Sequence, residues 1–339
     1  MVAAQIVGQR KVEIVQVEEP PLPESHIMVQ IERACLCGSD GPLFSYDLTR
    51  QGNGRPATPF LDYTRDDPYP LRVGQSIHEC LGTVVESRSD RFSKGDLVLA
   101  LPNAMDGLCQ FISIPDTKAI RLPKEGISRE EILMSQPFGT VIWAFSKLGN
   151  LLNQDAVVLG QGPMGLMICH LLSNLGARTI IAMDKLDNRL DAAMRMRATH
   201  TINVDKRDPL RTVEELTNGR MANLVFEAVG HQTDTISQCM EMVRPRGTLV
   251  AFGVPDDEIY RDFSYTTFFR KNLTLIGSVG PEVEPNYSLA RDMISQGRID
   301  VSPLITHTVP FQDIQKAYEL FVDRKDGAIK VIVDYDTLP

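Results

Sequence analysis

The chain has 339 residues, of which 43% are apolar, 23% charged and 6% aromatic. That is enough for about two domains of roughly 100–200 residues each, with a core that needs no disulfide or metal staple. Forty-four acidic residues against 35 basic ones leave a net charge of −9, so no general cationic field neutralises a phosphate backbone and nucleic acid is not an expected partner.

In chain order, short β-type runs at 27–31, 82–86 and 96–101, punctuated by Gly and Pro, predict a mostly β first part of about 125 residues. Within it, residues 45–73 read as a loop. Arg50, Arg55, Arg65 and Arg72 stand there against Asp47, Asp62, Asp66 and Asp67, and Pro56, Pro59, Pro68 and Pro70 oppose regular structure. Helical periodicity begins at 131–148. Apolar runs follow at 157–159, 179–183, 224–228, 248–252 and 274–276, most of them separated by amphipathic helical stretches. Such runs predict strands buried on both faces of a parallel sheet with crossover helices. A helix at 287–296, a β-type segment near 305–309, a helix at 311–323 and a strand at 329–333 close the chain. Periodicity alone does not assign this tail to either domain.

The apolar stretch 157–172 is broken by Gln161, Pro163 and His170, so no membrane-spanning helix is expected. MVAAQIVGQRKVEIV lacks the cationic start, apolar block and cleavage site of a signal peptide. Cys35, Cys37, Cys80, Cys109, Cys169 and Cys239 form no CxxC pair, which suits a reducing compartment. A cytoplasmic protein without membrane partners is the expectation.

Gly160-Gln161-Gly162-Pro163-Met164-Gly165 follows the strand AVVLG and opens the helical run 166–175. Strand, glycine turn and helix stand in the order of a dinucleotide fingerprint. The first glycine permits the tight turn, the second the approach of a pyrophosphate, and the third close packing of helix on strand. The phosphates would lie on free N–H groups at the helix start. Asp184 ends the next strand, TIIAMD, 19 residues after Gly165, where a carboxylate accepts from both ribose hydroxyls and favours NAD over NADP. Lys185 and Arg189 leave room for NADP. Ala228 and Val229, Phe252 and Val254, and Ser278 stand at the carboxyl ends of later strands, where ligands lie in open α/β sheets, and are candidate cofactor contacts. The alternative for each is packing.

Cys37 opens C-G-S-D, and His78 with Glu79 forms an H-E pair. Thiolate and imidazole are good zinc ligands, and a catalytic zinc keeps one position open. Taken singly, each of these residues reads as readily as core or surface.

The ordered set CGSD, HECLGTVVE, GDLVLA, GQGPMG and FEAVG resembles the zinc-dependent medium-chain alcohol and polyol dehydrogenases, over nearly the whole chain. The resemblance implies a GroES-like, mostly β catalytic domain (1–139), a Rossmann doubly wound parallel-sheet domain binding NAD (140–282), and a C-terminal segment (283–339) returning to the catalytic domain. It also implies homodimers or homotetramers. Cys37 and His78 match the most widely shared zinc ligands, and Glu79 matches a ligand or near neighbour. Gln136 falls where a Cys or Glu ligand is usual, a neutral and weaker donor that some sugar-oxidising members share. Thr140 matches a side chain near the nicotinamide, Asp40 a carboxylate that orients the ligand histidine, and Lys330 a phosphate contact. Ser39 is placed to accept the substrate's proton.

Three departures stand out. Only Cys109 lies where a four-cysteine structural-zinc lobe would be, so one catalytic zinc and no second is expected. Gly41-Pro42-Leu43 occupies the usual place of a relay histidine. Residues 45–73 lengthen the spacing from Cys37 to His78, as a surface or subunit-contact loop, as a lid over the substrate pocket, or as a disordered stretch. The expected activity is NAD-dependent, zinc-assisted oxidation of a secondary alcohol, polyol or sugar-like, to the carbonyl, or the reverse. The alternatives are a zinc-free NAD(P)H-dependent carbonyl or double-bond reductase of the same fold, and a non-catalytic dinucleotide-binding sensor.

Overall fold

A computed structural model describes residues 1–49, 67–102, 104–255 and 259–338. Of the loop expected at 45–73, residues 50–66 lie outside the described residues. The chain divides into two units, one of residues 1–139, 282–298 and 305–339, the other of residues 140–281 and 299–304.

The first unit begins with β1 (Val2–Gly8) paired antiparallel to β2 (Lys11–Gln16). Then come β3 (His26–Cys35), α1 (Asp40–Ser45), β4 (Glu79–Ser87), β5 (Leu97–Ala100), β6 (Phe111–Pro115), β7 (Ala119–Arg121), α2 (Arg129–Leu133) and α3 (Ser135–Phe145). β3 pairs antiparallel with both β4 and β6. Period-two burial explains the inward faces: Ile27, Val29, Ile31, Val84, Val98 and Ile112 enter one core. α2 opens with a capping box in which Ser128 accepts from the Glu131 N–H while the Glu131 side chain reaches back to the Ser128 backbone.

In the second unit β8 (Asp155–Leu159), α4 (Pro163–Asn174), β9 (Thr179–Asp184), α5 (Asp187–Arg195), β10 (His200–Asn203), α6 (Pro209–Leu216), β11 (Ala222–Glu227), α7 (Thr235–Met242), β12 (Val243–Ala251), α8 (Tyr265–Lys271) and β13 (Thr274–Gly277) alternate. The strands form a parallel sheet in the order β10-β9-β8-β11-β12-β13. The order reverses between β8 and β11. β8 is buried at every position, as its unbroken apolar run predicts for a central parallel strand.

The chain then returns to the first unit through α9 (Ser288–Ser295), β14 (Ile305–Pro310), α10 (Ile314–Val322) and β15 (Lys330–Asp334). β15 lies between β14, to which it is parallel, and β3, to which it is antiparallel. The return is not continuous. Residues 299–304 cluster with the second unit, because Ile299, Val301 and Leu304 are buried and the short turn Ser302–Leu304 lies against α5. No helix among the described residues is long and apolar enough to cross a membrane.

Candidate active site

Forty-one positions separate Cys37 from His78 in the sequence; sheet register brings them together. Cys35 at the end of β3 pairs with Glu79 at the start of β4, so the residues just beyond these strand ends meet. One ligand atom from each of Cys37, His78 and Glu79 lies within 4.8 Å of the others. A thiolate sulfur, an imidazole nitrogen and a carboxylate oxygen are donor types that zinc takes in three-ligand sites. Two polar atoms here, His78 Nδ1 and Ser39 Oγ, are buried without a hydrogen-bond partner, and a buried orphan of this kind costs about 1–3 kcal/mol. The set fits a bound divalent cation. Gln136 is buried on α3 in the same unit.

The electrostatics agree. Burial works against a charged His78, yet Cys37, Asp40 and Glu79 together hold its pKa up at about 9. Such a shift marks a negative surrounding that favours a cation.

Asp40 acts differently from the expectation. Its Oδ2 accepts from the Cys37 N–H at 2.7 Å, and its Oδ1 accepts from Ser76 Oγ at 2.9 Å and the Ile77 N–H at 2.8 Å. It does not hydrogen-bond the His78 ring, whose Nδ1 is left without a partner. Instead it ties together the two segments that carry the ligands. Ser76 and Ile77 have φ of 112° and 65°, costly for a β-branched residue, and the Asp40 carboxylate holds this turn just before His78. Burial raises the Asp40 carboxyl above its ordinary value, against the pull of His78 and these donors.

Lys330 also departs from its expected role. Its Nζ stands 2.6 Å from Glu79 Oε2, with side-chain exposures of 2% and 1%. The ammonium is committed to a carboxylate under the cluster and is not offered to a phosphate. Cys35 Sγ donates to the same oxygen at 2.7 Å. Burial alone would raise the Glu79 pKa, but Lys330 first, then His78 and Cys35, bring it below the usual value. Burial and the Glu79 charge push the Cys35 thiol well up, so it stays protonated. Sequence reasoning missed Cys35 and misassigned Lys330, because their meeting depends on the β15-β3-β4 pairing.

In the second unit the glycine turn joins β8 to α4 as expected. Gly160 has φ of 94°, and a Cβ on Gly165 would stand 1.9 Å from the Gly160 carbonyl oxygen, so helix and strand pack this closely only with glycine. A Cβ on Gly162 would meet nothing within 4 Å; the space over this helix start, followed by Pro163 and Met164, fits an approaching phosphate. Asp184 Oδ2 accepts from the Gln161 N–H at 2.8 Å, and Oδ1 from the N–H groups of Lys185 and Leu186 at 2.8 and 3.0 Å. A carboxylate offers about four acceptor sites, so capacity for a hydroxyl remains. Arg189 lies 3.7 Å from Asp184 Oδ2. Ala228, Val229, Phe252 and Val254 are brought together at the ends of β11 and β12, where the His231 N–H donates to Val254 O at 2.8 Å. Ser278 is farther along, beyond edge strand β13, and its Oγ accepts from Lys147 Nζ at 3.3 Å. Thr140 lies on α3 at the start of this unit.

A family model described as zinc-binding dehydrogenase matches residues 163–296. The chain is 26% identical over 330 residues to an L-threonine 3-dehydrogenase of Bacillus licheniformis, covering 93% of this chain and 92% of that protein. It is 28% identical over 333 residues to the L-threonine 3-dehydrogenase of Bacillus subtilis strain 168, covering 93% and 94%. Among solved structures, the alcohol dehydrogenase TADH from Thermus sp. ATN1 matches with a TM-score of 0.84 at 24% identity, over 99% of this chain and all of that one, a likeness of fold.

Proposed function

We propose that the chain is a zinc-type medium-chain dehydrogenase, a reading that the matches to a zinc-binding dehydrogenase model and to L-threonine 3-dehydrogenases support, and that it catalyses NAD-dependent oxidation of a secondary alcohol, polyol or sugar-like, to the carbonyl, or the reverse, with one zinc ion per chain. Its first unit is the GroES-like domain of that family and its second the Rossmann domain. The observation that carries the reading is the convergence of Cys37, His78 and Glu79 within 4.8 Å.

Cys37 and His78 would hold the ion, with Glu79 or Gln136 as the third donor. When bound, zinc supplies the Lewis acidity that brings a hydroxyl proton into reach near neutral pH. The buried, unpartnered Oγ of Ser39 would take that proton as a relay, passing its own hydroxyl proton on to Glu79 or to water. Asp40 keeps the two ligand-bearing segments in register, and Lys330 with Cys35 holds Glu79 Oε2. In the second unit the turn at Gly160, Gly162 and Gly165, with Pro163 and Met164, cradles the pyrophosphate. Asp184 takes the adenosine ribose and selects NAD, with Arg189 as its neighbour. Ala228, Val229, Phe252, Val254, Ser278 and Thr140 complete the dinucleotide contacts. The protein works in the cytoplasm as a homodimer or homotetramer. Edge strand β13 and the exposed Tyr265, Phe269, Leu275 and Val279 beside it support assembly, since bare apolar edges invite pairing.

The test is elemental analysis of protein purified without chelator, alongside Cys37→Ser. One zinc per chain, lost in the variant while dinucleotide binding persists, is the expected result. No zinc after reconstitution refutes the mechanism. A screen of polyols, sugars, sugar phosphates and L-threonine, each with NAD and with NADP, then addresses substrate and cofactor.

A further inference from the structure

We infer that Glu227 is a positioning residue of the dinucleotide crevice: its side chain fixes loop 228–230 beside the glycine turn, and its main-chain carbonyl ties residues 252 and 253 to the same point. The inference rests on the proposed dinucleotide binding and adds to it a residue outside the fingerprint.

Glu227 ends β11 and is 2% exposed. Among the described residues no cationic side chain pairs with it. Its Oε1 instead accepts from the N–H groups of Val229 and Gly230 at 3.0 and 3.1 Å, so the carboxylate folds back over its own turn. Its main-chain carbonyl accepts from Phe252 and Gly253 N–H, both at 3.0 Å. Loops 228–231 and 252–254 are thereby joined at one residue, and the contact is close. A Cβ on Gly253 would stand 2.3 Å from Gly230 N and 2.5 Å from Glu227 Oε2. The first loop in turn packs on the fingerprint, because a Cβ on Gly160 would stand 2.8 Å from Ala228 O, and the Ala228 N–H donates to Leu159 O at 2.8 Å.

These loops follow β11 and β12, and the glycine turn follows β8, so together they flank the point where strand order reverses, which is where ligands lie in such sheets. A buried carboxylate without a cation is costly, and two N–H groups on one oxygen are what it obtains in return. Fixing the loops before the ligand arrives removes an ordering cost from binding. Glu227 acts through residues 228–230 and 252–254.

The experiment measures binding of NADH and of NADPH to the full chain by fluorescence titration, at a temperature where circular dichroism shows every variant folded. Glu227→Gln keeps the reach of an acceptor oxygen without the charge; Glu227→Asp keeps the charge and retracts the oxygen by one methylene. We expect Glu227→Gln to bind within about threefold of wild type and Glu227→Asp to bind roughly tenfold or more weakly, because two buried N–H groups lose their acceptor. Wild-type affinity in Glu227→Asp, or equal loss in both variants, overturns the positioning role while leaving dinucleotide binding intact. Absence of binding in the wild type overturns the dinucleotide reading and this inference with it.

Discussion

Replacing Lys330 by Met keeps the side-chain length under the metal-type cluster and removes its charge. Glu79 then keeps 1% exposure with the Cys35 thiol as a hydrogen-bond donor and loses the nearer of its two positive partners, His78 being the other. Removing one partner of a buried ion pair costs about 3–5 kcal/mol, although the intact pair is worth far less than that against an apolar replacement. Adding Glu79→Gln should therefore recover most of the loss, and the coupling between the two sites should exceed about 2 kcal/mol. The assay is urea unfolding at pH 7 by circular dichroism on chelator-treated protein, which removes metal ligation from the comparison. With a urea slope near 3 kcal/mol per molar, the first unit's midpoint should fall by about 1–2 M in Lys330→Met. Acid supplies a second check. The Glu79 pKa is lowered in the folded state, so its contribution is present above the unfolded value of about 4.3 and is lost as pH falls through the folded one. Lys330 is shifted upward, so its contribution is present below about 10.4 and is lost only as pH rises past that range. A Lys330→Met midpoint within about 0.3 M of wild type would refute the reasoning, since a shift that small is about 1 kcal/mol at this slope.

Asp40→Ala should weaken zinc retention by roughly 10- to 100-fold in competition with a chelator, because the turn at Ser76 and Ile77 loses its acceptor; unchanged retention would deny Asp40 its role. Gly165→Ala should abolish dinucleotide binding and leave zinc content unchanged, since the new Cβ would stand 1.9 Å from Gly160 O. Burial, aided by Arg197, depresses His170 from 6.5 to about 4. Its stabilising contribution is therefore full above about pH 6.5 and falls as pH drops toward 4, by roughly 3 kcal/mol. His170→Gln should flatten the acid limb of the unfolding profile over that window, and an unaltered limb would show that the group is not held neutral.

The parts legible in the sequence are those whose partners are neighbours along the chain. The strand AVVLG, the glycine turn and the helix after it are contiguous, and β8-turn-α4 stands where the pattern put it. The apolar runs at 179–183, 224–228 and 274–276 became β9, β11 and β13, while β12 starts earlier than its apolar core, at Val243; β13 is not buried on both faces as its run predicts, because it lies at the sheet edge with Thr274, Leu275 and Gly277 exposed. β1, β2, β6, β7 and β10 went unread; β7 and β10 have only three and four residues, too few for periodicity to show. Glu227 stands inside the run 224–228 and the FEAVG motif, but what its side chain binds depends on the turn that follows β11, which periodicity does not show.

By itself the sequence determined the kinds of chemistry available: a glycine turn able to admit a phosphate, an acidic residue one strand later, and thiol, imidazole and carboxylate side chains suited to zinc. Only the tertiary structure decided which of these act together. Lys330 sits 251 positions from Glu79, and the two meet because β15 lies beside β3 and β3 beside β4; Asp40 bridges Cys37 and Ile77 for a similar reason. Strand register is a cooperative property of the whole sheet, set by which faces can be buried at once, so no local stretch of residues contains it.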